Sequence, residues 1–189
     1  MARGENIIWR IELHWLAKQM RILPALTVCE CSVGPLEISI APPFVGDCDR
    51  LLLIEPVPYL AQEASRVLGT KVLQVAVGMQ PGKAKMIDNG GSSYLKDTWS
   101  PTVVEKNEFE VDVVTFDTID DGQIDILNLD CEGQEWAVLS HMKSEPKLLA
   151  IENCDDAPHY KETCQWLKDH KYVMRFFTGP WAETQIYTK

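Results

Sequence analysis

Carboxylate residues stand at the ends of several apolar segments of this sequence: Glu30, Glu55, Asp130, Glu132 and Glu152. In a parallel sheet covered by helices, the loops at the carboxyl ends of the strands form the ligand crevice. An acid after the second strand, the position of Glu55, can accept hydrogen bonds from both hydroxyls of a ribose. Asp130 follows an apolar strand into the same crevice, where a desolvated carboxylate needs a partner or a chemical role.

Other interpretations of these acids are open. Glu132 and Glu135 lie near the N-terminus of a predicted helix, where the helix dipole alone stabilises an acid. Clustered carboxylate oxygens suit magnesium or calcium, but no ligand spacing here requires a metal, so we predict none. His159 lies in the loop after the fifth predicted strand and is a candidate base because it titrates near neutrality, although a solvated or capping role is the alternative.

The elements that position these residues alternate between apolar runs and helical patterns. The predicted strands are 26–31, 51–54, 72–77, 124–129 and 147–151, and the predicted helices between and after them are 59–68, 134–142 and 159–170. Strands that are apolar throughout are typical of a parallel sheet buried on both faces. The sequence therefore predicts an α/β fold, a Rossmann-like doubly wound and mostly parallel sheet with helices on both faces.

The two ends of the chain add further elements to a single predicted domain, 1–189. Apolar residues recur at helical spacing over 8–23 and stop at Pro24, which predicts an N-terminal helical cap over 1–24 and a Rossmann-like core over 25–189. Strand patterns at 172–177 and 184–187 flank Gly179 and Pro180 and predict a C-terminal antiparallel hairpin. The segment 78–121 is the least regular, with one strand-like piece at 111–116.

Charge and cysteine usage limit the partners that we expect. With 18 Lys and Arg against 28 Asp and Glu, the net charge of −10 repels a phosphate backbone, and no basic stripe offsets it. We therefore expect neither a nucleic acid nor a membrane partner. The six cysteines show no metal-binding spacing and predict reduced core thiols in a cytoplasmic protein, and no apolar window predicts a signal peptide or an anchor. The oligomeric state is not predicted.

Four consecutive segments resemble the FkbM family of class I S-adenosylmethionine-dependent methyltransferases. They are Val113–Ile119, Ile124–Glu135, Val138–Leu139 and Leu148–Glu152, which are similar in order and spacing to the family's tLD, iDllKiDvEGaE, vL and iE elements. Upstream, Leu53–Pro58 resembles the family's afEPnP, Val75–Gly78 with Gly82 resembles its aAlgd..G, and Asn89–Leu95 resembles its glycine- and serine-rich segment. The Glu30–Leu36 segment departs from the family's DvGAniG, since Ser32 and Leu36 stand at glycine positions.

The resemblance implies transfer of the methyl group of S-adenosylmethionine to a hydroxyl of a small-molecule or glycan acceptor. The implied cofactor-binding residues are Glu30, Ser32 and Gly34 after the first strand, Glu55 at the ribose, and Ala76 and Val77 beside the adenine. Asp130, Glu132 and Glu152 would line the acceptor side as orienting groups or bases, with His159 as a further candidate.

Two other functions are compatible with parts of this pattern. A dinucleotide-dependent oxidoreductase shares the parallel sheet and the ribose acid, but the turn after the first strand lacks the GxGxxG pattern that it needs. A non-catalytic binding or interaction module with the methyltransferase fold agrees with the altered Glu30–Leu36 segment. Proline residues at 42 and 43 also interrupt the expected first crossover helix, and Asn128 stands where the family tends to have lysine.

Overall fold

A computed structural model describes residues 13–20, 26–96, 98, 107–153, 155, 157–177 and 184–189. Residues 13–19 are helical and are called α1 here. The later helices are α2 (Pro58–Leu68), α3 (Glu135–His141) and α4 (Tyr160–Asp169). The strands are β1 (Thr27–Cys31), β2 (Arg50–Ile54), β3 (Val72–Leu73), β4 (Ala76–Val77), β5 (Gly82–Asp88), β6 (Tyr94–Leu95), β7 (Asn107–Val114), β8 (Ile126–Leu129), β9 (Leu148–Glu152), β10 (Val173–Phe177) and β11 (Thr184–Thr188).

The main sheet is mostly parallel, as the apolar strands predict. Its seven strands in the described part of the chain follow the order β10-β11-β9-β8-β1-β2-β3. All pairs from β9 to β3 are parallel, and β11 runs antiparallel to both β9 and β10. The antiparallel β10 and β11 agree with the predicted hairpin, whose turn residues Gly179 and Pro180 lie outside the described residues.

Helices cover both faces of this sheet. On one face, Val138 of α3 and Leu167 of α4 pack on the strands. On the other face, Leu13 of α1 packs with the strands, and Ala64 of α2 packs against Leu53. The fold is therefore the predicted α/β arrangement, and α2, α3 and α4 begin within one residue of their predicted starts. The predicted first helix is seen at 13–19, and its other residues lie outside the described part.

The crossover between β1 and β2 lacks a long helix. A 3₁₀ helix of three residues, Pro42–Phe44, takes its place, with proline at its first position and Phe44 buried against α1. Proline has no backbone N–H and restricts the residue before it, so a regular helix cannot run through both prolines. The predicted interruption of this crossover is confirmed.

Two predictions for the segment 72–121 are corrected by a second sheet. The predicted strand 72–77 is two short strands, because the chain leaves β2 at the exposed Gln74 and then pairs with β7. The segment predicted to be irregular forms a four-stranded sheet in the order β4-β7-β5-β6. Phe109, Val111 and Val113 of β7 alternate with acidic residues, so its apolar side packs toward α2 while its charged side faces solvent.

Candidate active site

The parallel register brings four site positions to one level at the carboxyl edge of the main sheet. Cys31 pairs with Ile54 on one side and with Leu129 on the other, and Leu129 pairs with Ile151. The next residues along these strands are Glu55, Ser32, Asp130 and Glu152. Neighbouring strands lie about 4.8 Å apart, so the small side chain of Ser32 separates Glu55 from the two acids Asp130 and Glu152.

Asp130, Glu132 and Glu152 form a tight group of carboxylates. One oxygen from each lies within 4.8 Å of the others. Burial, together with the charge and hydrogen bond of Asp130, raises the pKa of Glu152 far above its usual range. Two carboxyl groups this close cannot both ionise easily, so Glu152 keeps its proton at neutral pH and hydrogen-bonds to Asp130. An all-oxygen group of this kind is what a hard cation prefers, and the predicted absence of a metal stays a prediction.

A cavity of about 30 Å³ opens beside this row, between the two sheets. Ser32, Ala76 and Val77, all predicted to bind the cofactor, line it. Other lining residues are Cys31, Ile54, Pro56, Val75, Met86, Ser93, Leu95, Cys131 and Gln134. The walls are largely apolar, with a few polar groups, as is typical of sites for a flat heterocycle.

The turn after β1 is held by the end of β2. The N–H groups of Ser32 and Val33 both donate to the carbonyl oxygen of Ile54, at 2.9 and 3.2 Å. Ser32 has φ = +66° and Gly34 has φ = +58°. The left-handed region suits glycine and strains a residue with a Cβ atom. Ser32 therefore adopts a glycine-like conformation at the position where the family has glycine.

Glu55 lies under this turn and is 1% exposed. Its Oε2 accepts the N–H of Gly34 at 2.7 Å, and its Oε1 accepts the N–H of Val57 at 2.8 Å. Burial raises its pKa to about 7, against the opposing effect of these two N–H groups. Glu55 thus fixes the position of the turn. Its predicted bonds to a ribose stay a prediction, because the carboxylate does not line the cavity here.

Glu30 is also directed away from the cavity. Successive side chains of a strand point to opposite faces, and its neighbour Cys31 lines the cavity. The Glu30 carboxylate accepts the hydroxyl of Ser39 at 2.6 Å and the N–H groups of Ile40 and Ala41 at 2.8 and 3.2 Å. Glu30 therefore anchors the segment that leads into Pro42–Phe44, and it does not line the cavity with Ser32, Ala76 and Val77.

His159 lines a second cavity, of about 190 Å³, which also contacts the N-terminal end of α3. Its ring is 6.2 Å from that of Trp136, and its Nδ1 is 3.5 Å from Oε1 of Glu162. Gln134 lines both cavities, so the two lie side by side. The structure thus joins Asp130, Glu132 and Glu152 in one group of carboxylates and places His159 in the neighbouring cavity.

Comparison with protein-family models gives a match to the methyltransferase FkbM domain over residues 37–174. This span covers well over half of the chain. The chain belongs to the FkbM methyltransferase family. Comparison with curated proteins and with solved structures finds no match.

The matched span of the FkbM domain contains the acidic group and Glu55 but begins after the β1 turn. Residues 30–36, where the sequence departs from the family's motif, lie outside it. Among the described residues, no helix is long and apolar enough to cross a membrane.

Sequence reasoning missed several residues that line the cavities. Met86 and Leu95 come from the second sheet, and the alternation of apolar and charged residues in its strands was the signal that could have revealed them. Cys31 and Cys131 were expected only to fill the core, yet both also line the first cavity. Burial raises the pKa of Cys31, so its thiol stays protonated and unreactive. Gln134 carried no signal in the sequence.

Proposed function

We propose that this protein transfers the methyl group of S-adenosylmethionine to a hydroxyl of a neutral small molecule or glycan. The observation that carries the proposal is the pair of Asp130 and Glu152, in which a protonated Glu152 hydrogen-bonds to Asp130 beside an apolar cavity in a chain of the FkbM family. A hydroxyl becomes a strong nucleophile only when its proton is removed, and a partly desolvated carboxylate is suited to that step.

The first cavity has features that suit the cofactor. Ile54, Pro56 and Val77 offer an apolar surface for an adenine ring. The β1 turn reaches the cavity through Ser32, whereas Gly34 packs on Ile38, where an added Cβ atom would lie 3.3 Å from Cδ1. When bound, S-adenosylmethionine supplies an activated methyl group on a positively charged sulfur.

The carboxylates have separate tasks in the proposed reaction. Asp130 accepts the proton of the acceptor hydroxyl while the oxygen of that hydroxyl attacks the methyl carbon. The new C–O bond forms as the C–S bond breaks, and the proton ends on Asp130. Glu152 keeps its own proton and donates a hydrogen bond that holds Asp130 in place. Glu132, on the same loop, adds negative charge that favours a cationic sulfonium nearby.

Calorimetry and methyl transfer test the proposal together. We expect S-adenosylmethionine and S-adenosylhomocysteine to bind at micromolar concentrations and NAD not to bind. With radiolabelled methyl donor and a panel of neutral glycosides and phenols, Asp130→Asn should lower turnover about 100-fold or more and leave donor affinity within about twofold of wild type. The exposed Asp155→Asn, in the loop after β9, is the matched control and should do neither.

Two results would contradict the proposal. Unchanged turnover in Asp130→Asn would show that Asp130 is not the base. Absence of binding by either sulfur compound would favour the non-catalytic module, which the altered β1 turn also fits.

A further inference from the structure

We infer that the second cavity is the acceptor site and that it binds an uncharged, hydroxyl-bearing ring against Trp136 and His159. This inference rests on the proposed function and names its substrate class and the residues that recognise it. The cavity has a volume of about 190 Å³, enough for a single ring.

The walls of the cavity are apolar, and its polar groups are few. Its described lining is Met79, Thr98, Gly133, Gln134, Trp136, Ala137, Pro158 and His159. Trp136 and His159 offer ring surfaces inclined by 31°. A flat apolar face, either of an aromatic ring or of a sugar, packs well on such surfaces, while an amide and a hydroxyl at the edge can meet the polar substituents.

The backbone of His159 supports a role in binding. It has φ = +61°, a conformation that costs a residue with a Cβ atom about 1 kcal/mol. His159 is the N-cap of α4, yet its side chain makes no capping hydrogen bond and lies instead beside Trp136. The capping role that was one alternative for this residue is therefore not what its side chain does, while the other alternative, a solvated side chain, agrees with its 50% exposure. Strained residues of this kind cluster at functional sites.

Charge indicates an uncharged ligand. No lysine or arginine is among the described residues that line the cavity. The loop that enters it at Gly133 also carries Asp130 and Glu132, with Glu152 beside them. An anionic acceptor would have no cationic partner here and would be repelled by these acids.

The position of the cavity links it to the proposed chemistry. Gln134 contributes to both cavities, and Gly133 lies between Gln134 and the acidic group in the chain. A ring on Trp136 can therefore direct a hydroxyl toward Asp130 while the first cavity holds the methyl donor.

Fragment binding tests this inference on the whole chain saturated with S-adenosylhomocysteine. The neutral probes are methyl β-D-glucopyranoside and catechol, which separate a sugar from an aromatic acceptor, and glucuronate and gallate are their anionic counterparts. Binding to every variant is followed by saturation-transfer NMR of the probe, and in the wild type also by the signal of the Trp136 indole N–H, assigned with Trp136→Phe. We expect at least one neutral probe to shift this signal and its anionic counterpart to bind more weakly.

Matched variants locate the binding. Trp136→Ala and His159→Ala should each lower the affinity for the neutral probe about fivefold, as expected for loss of a ring contact. His170→Ala is the control, since His170 also stacks on a tryptophan, Trp166, but at the other end of α4. Thermal melting checks that each variant is folded.

Three outcomes would overturn the inference: equal binding by Trp136→Ala and wild type, preference for the anionic probes, or no response to either neutral probe. Titration of S-adenosylhomocysteine alone reports the first cavity separately. Failure of that titration would count against the proposed methyl transfer, while the probe shifts would still decide the ligand class of the second cavity.

Discussion

At the scale of single residues, burial determines how the acids at the sheet edge behave. Glu135 is the first residue of α3 and is 5% exposed. Its Oε1 accepts the N–H of Cys131 at 2.8 Å, which fixes the loop that carries Asp130 and Glu132. Burial raises its pKa to about 7, although backbone N–H groups partly oppose the shift. The role that the sequence left open, an acid serving the start of a helix, is the one its side chain has.

The raised pKa makes the stability of the fold depend on pH. A folded-state pKa of about 7, above the ordinary 4.5, means that the folded protein binds this proton more tightly than the unfolded chain does. The contribution of Glu135 is therefore fully present below about pH 4.5 and is lost as the pH rises through 7. Glu135→Gln keeps an oxygen that can accept the Cys131 N–H and removes the charge. At pH 8 it should be more stable than wild type by up to about 3 kcal/mol.

Urea unfolding at pH 5 and pH 8 measures this effect. The gain of Glu135→Gln over wild type should be small at pH 5 and larger at pH 8. Glu63→Gln, an exposed acid of α2, is the control and should show no such change. A gain that is the same at both values of pH would mean that the Glu135 carboxyl does not titrate in this window.

How far the site could be predicted also differs from residue to residue. The acidic group of Asp130, Glu132 and Glu152 follows from strand order alone, because parallel strands end at the same edge. The directions of Glu30 and Glu55 do not follow from it. Both carboxylates accept hydrogen bonds from backbone N–H groups of nearby turns. Those turns depend on φ values and on crossover geometry that residue types do not specify.

At the scale of elements, the β1 turn is where this chain differs most from its family. Ser32 occupies a left-handed conformation, and Gly34 two residues later does the same without a Cβ atom. The turn is nevertheless complete, since Ile54 and Glu55 accept three of its N–H groups. The altered motif thus retains a hydrogen-bonded turn and carries some backbone strain.

Removing this strain gives a prediction for the turn. Ser32→Gly should raise the free energy of unfolding by about 0.5–1 kcal/mol, because glycine adopts positive φ freely but loses more entropy on folding. It should also tighten binding of S-adenosylhomocysteine, since the backbone of the turn can then approach this ligand more closely. Lys171→Gly is the matched control: Lys171 has φ = +63° but lies after α4, so the gain in stability should appear without a change in binding.

Chemical denaturation and calorimetry on the two variants separate these effects. Weaker ligand binding by Ser32→Gly would show that the hydroxyl itself contacts the ligand. Equal changes in binding for both variants would mean that the β1 turn has no special part in it.

The second sheet shows what pattern reading at this scale can and cannot find. The strands β1, β8 and β9 are recognisable as mostly apolar runs, because both of their faces are buried. The strands of the second sheet alternate instead, and β5 carries few large apolar residues. Their pairing also joins segments about 25 residues apart, and only the packed structure decides that register.

At the scale of the whole molecule, the first cavity depends on both sheets. The main sheet supplies its base through Cys31 and Ile54, and the second sheet supplies a wall through Met86 and Leu95. Val57 and Leu60 of the α2 region pack with the apolar side of the second sheet, and Ala64 of the same helix packs on the main sheet. Helix α2 therefore holds the two sheets in position around the cavity.

The N-terminal helix extends the core beyond the span that matches the family. Residue 37 begins the match, yet Leu13 and Ala17 of α1 are fully buried with Val28, Phe44 and residues of β8, β9 and β11. If α1 is part of one cooperative unit, Leu13→Ala should lower the global free energy of unfolding by about 2–5 kcal/mol, through lost burial and the cavity left behind. Trp15→Ala on the same helix removes a side chain that is 54% exposed and should cost about 0.5 kcal/mol or less.

Coincidence of two probes decides whether α1 unfolds with the rest. Far-UV circular dichroism and tryptophan fluorescence should give one shared urea midpoint for wild type and one lower shared midpoint for Leu13→Ala. A Leu13→Ala variant that keeps the wild-type midpoint and loses only helical signal before the transition would instead make α1 a separately melting cap. The predicted N-terminal cap and the predicted core would then unfold as separate units.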